Sequence, residues 1–181
     1  MIFQSEEMED KALLQVAAQM CAAARTAPKA KGIDTIYTMV LTGEDAEALA
    51  QKMEEIAERD PAGQWGSWYQ RDAMNVRDAK AVVLIGAKRT VRGVSYCEYC
   101  GFENCQACQS AGGTCAFVGI DLGIAIASAV SVAADARVDN RIMMSIGKAA
   151  EEMHYFDEDI LWQGIPLSIT GKNVFFDRKS R

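Results

Sequence analysis

The sequence predicts a single α+β domain with a mixed central sheet, spanning residues 1–181. Three observations carry this. Residues 35–41 (TIYTMVL) and 81–86 (AVVLIG) have the length and the β-branched or apolar make-up of strands. Around them lie longer segments whose apolar residues recur at helical spacing. No internal repeat, linker or low-complexity tract divides the chain, and its 181 residues suit one core.

In order along the chain, Ser5 precedes Glu6, Glu7, Glu9 and Asp10, an N-cap with acids in the first turn. The Ala-, Leu- and Met-rich run to Ala24 makes a long helix that Pro28 stops. After the strand at Thr35–Leu41, Thr42 and Asp45 resemble a capping box. Ala46, Leu49, Ala50, Met53, Ile56 and Ala57 then follow helical spacing up to Pro61. Residues 64–79 are less regular and end in a short helix. The continuous apolar run 81–86 reads as a central buried strand.

A cysteine-rich loop, 95–117, separates that strand from an apolar helix over about Val118 to Ala136. From Cys115 to Ala134 only Asp121 is charged, and a helix of that length reaches about 30 Å. The run is mostly Ala, Gly and Ser without aromatic or basic anchors, so a buried central helix is expected rather than a membrane span. Gly119, Gly123, Ala127 and Ser131 recur every four residues on it. Such a stripe lets another backbone approach, at the centre of the fold or across a dimer axis. Asp139-Asn140-Arg141 reads as a turn and cap before a helix over Arg141–Met153. A last strand covers Ile165–Thr170 and runs toward Phe176.

The net charge of −6 is uneven: residues 1–60 carry twelve acids and six bases, whereas the rest carry thirteen of each. An acidic balance argues against nucleic acid or an anionic membrane as partner, since both need a basic face. The N-terminus has no basic flank, apolar stretch or small-residue cleavage site, so no signal peptide is expected and the cytoplasm is. Disulfides are disfavoured there.

Five of the six cysteines lie within nineteen residues, as Cys97-x2-Cys100-x4-Cys105-x2-Cys108-x6-Cys115. A C-x2-C turn directs two sulfurs the same way, and further cysteines close by complete four-coordinate sulfur ligation. Gly101, Gly112 and Gly113 give the backbone freedom to wrap a centre. Zinc uses the same thiolates. Its sites usually draw two C-x2-C turns from separated segments, whereas only four residues divide the turns here. Tight spacing favours an iron–sulfur cluster. Cys97, Cys100, Cys105 and Cys115 form one ligand set. Cys108 is an alternative ligand, because Cys100-x4-Cys105-x2-Cys108 has the spacing of plant-type [2Fe–2S] ferredoxins. Lys88, Arg89 and Arg92 stand just ahead, either offsetting an anionic cluster or simply solvated. Cys21, alone in the first helix, reads as core.

The stretch CEYCGFENC…GGTCAFVGIDLGIAIASAVSVAADARVDNRIMMSIGKAAEEM, followed by GIPLSITGKNVFFDR, resembles a prokaryotic family of ferredoxin domain-containing proteins. The resemblance implies a cluster held by a CxxCGFxxC motif and a cysteine at the start of the long helix. Cys97, Cys100, Cys105 and Cys115 match it, and Cys108 lies outside it as a structural or spare thiol. The four-cysteine pattern is also similar to [4Fe–4S] modules that pass single electrons to a partner protein or flavin.

A second resemblance is to the FMN-dependent nitroreductases. It rests on Ala27-Pro28 after the first helix, TIYTMVL, AVVLIG, and Asp121-Leu122-Gly123-Ile124-Ala125 opening the central helix. It implies a three-layer α+β sandwich, a homodimer and FMN at its interface. The Arg-rich phosphate motif of that family is missing, and Gly32 and Asp34 replace its Asn and Gln. Arg25, Lys29 and Lys31 stand nearby as substitutes for the FMN phosphate contacts, or as plain surface charge. Lys172 and Arg178 are further candidates.

His154, the only histidine, follows a helix among acids and reads as solvated or capping. Trp65, Trp68 and Tyr69 read as core, with stacking on a flavin or shielding of a cluster as the other use. Neither a P-loop, a Ser–His–Asp set nor a carboxylate–histidine metal motif is present.

Overall fold

The computed structural model describes residues 2–60 and 62–176. Helix α1 (Ser5–Thr26) leads through a short 3-10 turn, Ala30–Gly32, into strand β1 (Ile36–Leu41). Helices α2 (Gly43–Ala57) and α3 (Gly66–Arg77) follow, then β2 (Ala81–Lys88). After the cysteine loop, with the short helix α4 (Cys105–Ser110), come α5 (Ala116–Asp135), β3 (Asp139–Asn140), α6 (Met144–Met153) and β4 (Ile160–Ser168).

The sheet order is β1-β2-β4-β3. Every ladder is antiparallel, so the expected mixed sheet is corrected. Apolar runs mark strands but carry no information on direction. Residues 81–87 are all buried, as expected of a central strand, and their side chains alternate between two cores. Val83 and Ile85 face α1 and α5, while Val82 and Leu84 face α2, α3 and α6. Two helical layers thus sandwich one sheet. Trp65, Trp68 and Tyr69 belong to the second core, across the sheet from the core that holds Cys115, with Trp65 and Tyr69 edge to face at 5.6 Å.

Several boundaries differ from expectation. Thr42 precedes α2 without a side-chain capping bond, and Ser5 lies inside α1, its hydroxyl donating to Glu9 at 2.6 Å. Helix α3 is longer than expected because Asp60 accepts hydrogen bonds from the Trp65 and Gly66 N–H groups and starts it early. Asp139-Asn140 is strand rather than turn, paired with Ser168 and Leu167. Strand β4 begins five residues before the expected Ile165 and ends at Ser168, short of Phe176. Pro166 is tolerated inside it for a geometric reason. Gly164 exchanges both backbone bonds with Met143, so Pro166, two residues on, turns the same way into a gap in that ladder. Pro61 and Arg178 lie outside the described residues.

Helix α5 is long and apolar enough to cross a membrane by length and composition. Here it packs on α1 and β2, burying Val118, Leu122, Ala125, Ile126, Ala129 and Ala133. The small-residue stripe is not part of that contact. Gly119, Gly123, Ala127 and Ser131 face outward beside the part-exposed Ile120 and Ile124, and a methyl group at either glycine would meet nothing within 4 Å.

Candidate metal centre

Left-handed backbone turns shape the cysteine loop. Tyr96 and Glu98, on either side of Cys97, both adopt left-handed backbone conformations, φ 54° and 49°. Each such residue costs about 1–3 kcal/mol and persists only where surrounding structure holds it. Gly93, Gly101 and Gly112 supply further positive-φ turns, where glycine is free of that cost. The second C-x2-C pair is a turn of helix. Asn104 caps α4 by accepting from the Ala107 N–H at 2.9 Å, and Cys105 and Cys108, three apart, share a helix face. Asn104 ahead of the pair is the sequence signal for this helix. Cys115 is the residue before the first turn of the twenty-residue α5, whose N-terminal end carries partial positive charge that suits an anionic centre.

Cys97, Cys100, Cys105 and Cys115 line one cavity of about 340 Å³, together with Arg92, Phe102 and Phe117. Tyr99, itself largely exposed, stacks on the lining residue Phe117 at 6.0 Å. Cys108 does not line the cavity. It is fully buried behind it, and burial first, then a hydrogen bond with Cys100 and the nearby Cys115 and Cys105, pushes its thiol up. Cys21 packs against the first core, away from the loop, and burial raises its thiol as well.

Four thiols line the cavity, the number and type of donor that an iron–sulfur cluster takes, and the acids Glu98 and Glu103 share its wall. Among the described residues, no three Cys, His, Asp or Glu side chains converge closely enough to hold a metal ion.

Gly113 sets how closely the loop closes. A Cβ there would stand 2.7 Å from the Phe102 ring and 3.1 Å from Cys108 Sγ. For a loop that holds iron, Gly113→Ala is expected to lower iron retention several-fold, while the metal-free chain, whose loop can give way, loses less than the about 1–3 kcal/mol that overpacking costs a fixed core. Iron content beside a melting curve checks both halves.

The three bases ahead of the loop behave differently. Lys88 lies 3.9 Å from Glu158, and Arg89 bridges Glu151 and Asp159 at 3.0 and 2.7 Å. Arg92 is only 2% exposed and pairs with Asp121, 1% exposed, at 3.0 Å. This buried pair is the element that sequence reasoning missed. A lone acid inside an apolar helix was its one visible sign.

Arg25, Lys29 and Lys31 do gather, on the turn between α1 and β1, and each has a partner in the chain. Arg25 donates to Asp34 at 2.6 Å, Lys29 to the Arg25 and Ala27 carbonyls, and Lys31 to the Gly93 carbonyl at 3.3 Å. Burial alone would raise the Asp34 carboxyl, but bonds from Arg25 and the Ile36 N–H bring it below the usual range. A flavin phosphate would compete with these partners. His154 ends α6 in a left-handed conformation, exposed, as a C-cap.

Comparison with known proteins agrees with the architecture. A protein of Archaeoglobus fulgidus is 43% identical over 98% of each chain, and carries the description "uncharacterized protein". In solved structures, a BluB-like flavoprotein from Clostridium difficile 630 superposes with a TM-score of 0.60 at 16% identity, covering 92% of this chain and 85% of that one. A nitroreductase with bound FMN from Desulfitobacterium hafniense gives 0.55 at 17% identity, over 95% and 81%. The fold is therefore nitroreductase-like. Residues 111–178 match the family described as "uncharacterized protein containing a ferredoxin domain", a span that takes in Cys115 but neither C-x2-C pair. On the family match and the full-length relative together, the chain belongs to that family of ferredoxin-domain proteins, carried on a nitroreductase-like fold.

Proposed function

We propose that this is a cytoplasmic iron–sulfur redox protein, holding one [4Fe–4S] cluster on Cys97, Cys100, Cys105 and Cys115 and exchanging single electrons with a partner protein or flavin. The observation that carries the reading is four thiols lining one cavity. When bound, the cluster supplies a one-electron carrier whose potential its surroundings tune. The chain's own residues do the rest. Asn104 fixes the α4 turn that presents Cys105, while Phe102 and Phe117 give the cavity apolar walls. Cys108 stays a structural thiol behind the cavity.

Protein prepared without oxygen is expected to be brown and to contain about four iron and four sulfide per chain. A colourless product with one zinc per chain would instead establish the zinc-stapled alternative, a binding protein without redox work.

The second reading is an FMN-dependent oxidoreductase in which the cluster feeds a flavin. Its support is the likeness to flavin-bearing folds. A homodimer joined through the outward stripe of α5, with Ile120 and Ile124 beside Gly119 and Gly123, belongs to this reading. Structured flavin absorbance that survives loss of the iron distinguishes it.

A further inference from the structure

The buried charge pair beside the cysteine cavity has a consequence of its own. Arg92 has three partners: Nε donates to Asp121 on α5 at 3.0 Å, Nη1 to the Thr90 carbonyl in its own loop at 2.9 Å, and Nη2 to Thr35 Oγ1, just ahead of β1, at 2.6 Å. Asp121 in turn accepts from the Ala30 N–H at 3.0 Å, tying down the turn that carries Lys29 and Lys31. The guanidinium is thus held from several sides and nearly free of solvent, so its charge is weakly screened. Among the residues lining the cavity it is the single base, beside two acids, Glu98 and Glu103, and residues 93–136 contain no Lys or Arg.

We propose that the Arg92–Asp121 pair sets the reduction potential of the centre, Arg92 acting as a fixed positive charge at the cavity wall and Asp121 as the group that positions and partly offsets it. This rests on the iron–sulfur reading. A reduced cluster carries one more negative charge than the oxidised form, so a nearby cation favours reduction and raises the potential; a nearby anion lowers it. Arg92 and Asp121 therefore act with opposite sign, although they form one structural unit.

Potentiometric titration of the anaerobically prepared, cluster-loaded protein tests this. Arg92→Lys, which keeps the charge, is expected to stay near the wild-type potential. Arg92→Gln is expected to fall below it, and Asp121→Asn to rise above it. A merely structural pair would move both variants the same way, and that result, or an unchanged Arg92→Gln, overturns the proposal. Should Arg92→Gln lose its iron because Asp121 is left buried and alone, the Arg92→Gln/Asp121→Asn double variant replaces it, and must then lie below Asp121→Asn. Wild-type protein free of iron and sulfide overturns the cluster reading and this role with it, whereas iron-loaded variants shifting in parallel overturn the role of Arg92 alone.

Discussion

Cys100→Ser is expected to reduce iron retention at least tenfold. Losing only an orienting group around a metal site costs about 10–100-fold in affinity, and a direct sulfur donor is worth more. Cys100 is the sharpest choice because it both lines the cavity and contacts Cys108 through a hydrogen bond. The hydroxyl that replaces it is a harder, less willing donor to iron than a thiolate. Two companion variants make the result specific. Cys21→Ser removes a thiol packed on the first core and is expected to keep full iron content. Cys108→Ser removes the thiol enclosed behind the cavity, and is expected to keep the cluster with some loss of stability, because a buried hydroxyl needs a partner. Iron and sulfide per chain, measured on anaerobic preparations, decide the matter. Iron lost from Cys108→Ser but kept in Cys97→Ser would exchange those two residues in the ligand set.

What the sequence made legible, and what it did not, follows from the range of the forces involved. Strands and helices whose signal is local were recovered: α1, α2, β2 and α5 stand within a few residues of expectation because burial imposes a period on neighbouring residues. The cysteine spacing was equally legible, since a wrap around one centre needs its donors close in sequence. Strand direction, the two-residue β3 and the early start of β4 were not, as each depends on a partner far along the chain. The same holds for Arg92 and Asp121, twenty-nine residues apart. In one dimension Arg92 looks like Lys88 and Arg89. Only the packing of α5 against the turn after α1 buries it and leaves the other two among acids in and just after α6.

The contact between α6 and β4 gives the largest stability effect. Gly147 lies within α6, and a Cβ there would stand 2.0 Å from the Trp162 carbonyl oxygen and 2.9 Å from Gln163 Cα, backbone atoms that cannot rotate aside. Across the same contact, Gly164 would place a Cβ 2.0 Å from Ile146 Cγ2. Helix propensity alone predicts that Gly→Ala in a helix interior stabilises by about 1 kcal/mol. Displacing a whole helix from its sheet costs more, about 3 kcal/mol, so Gly147→Ala is expected to lower the urea midpoint of the metal-free chain. The two effects differ in sign, and a raised midpoint would show that the helix does not rest on β4 backbone to backbone. Gly119→Ala is the counterpart, at a helical glycine with open space around it. For an isolated chain it should raise the midpoint by the propensity gain. A fall there would mean that the outward stripe of α5 is already occupied, by a second copy of the chain packed as closely against its glycines as β4 packs against Gly147.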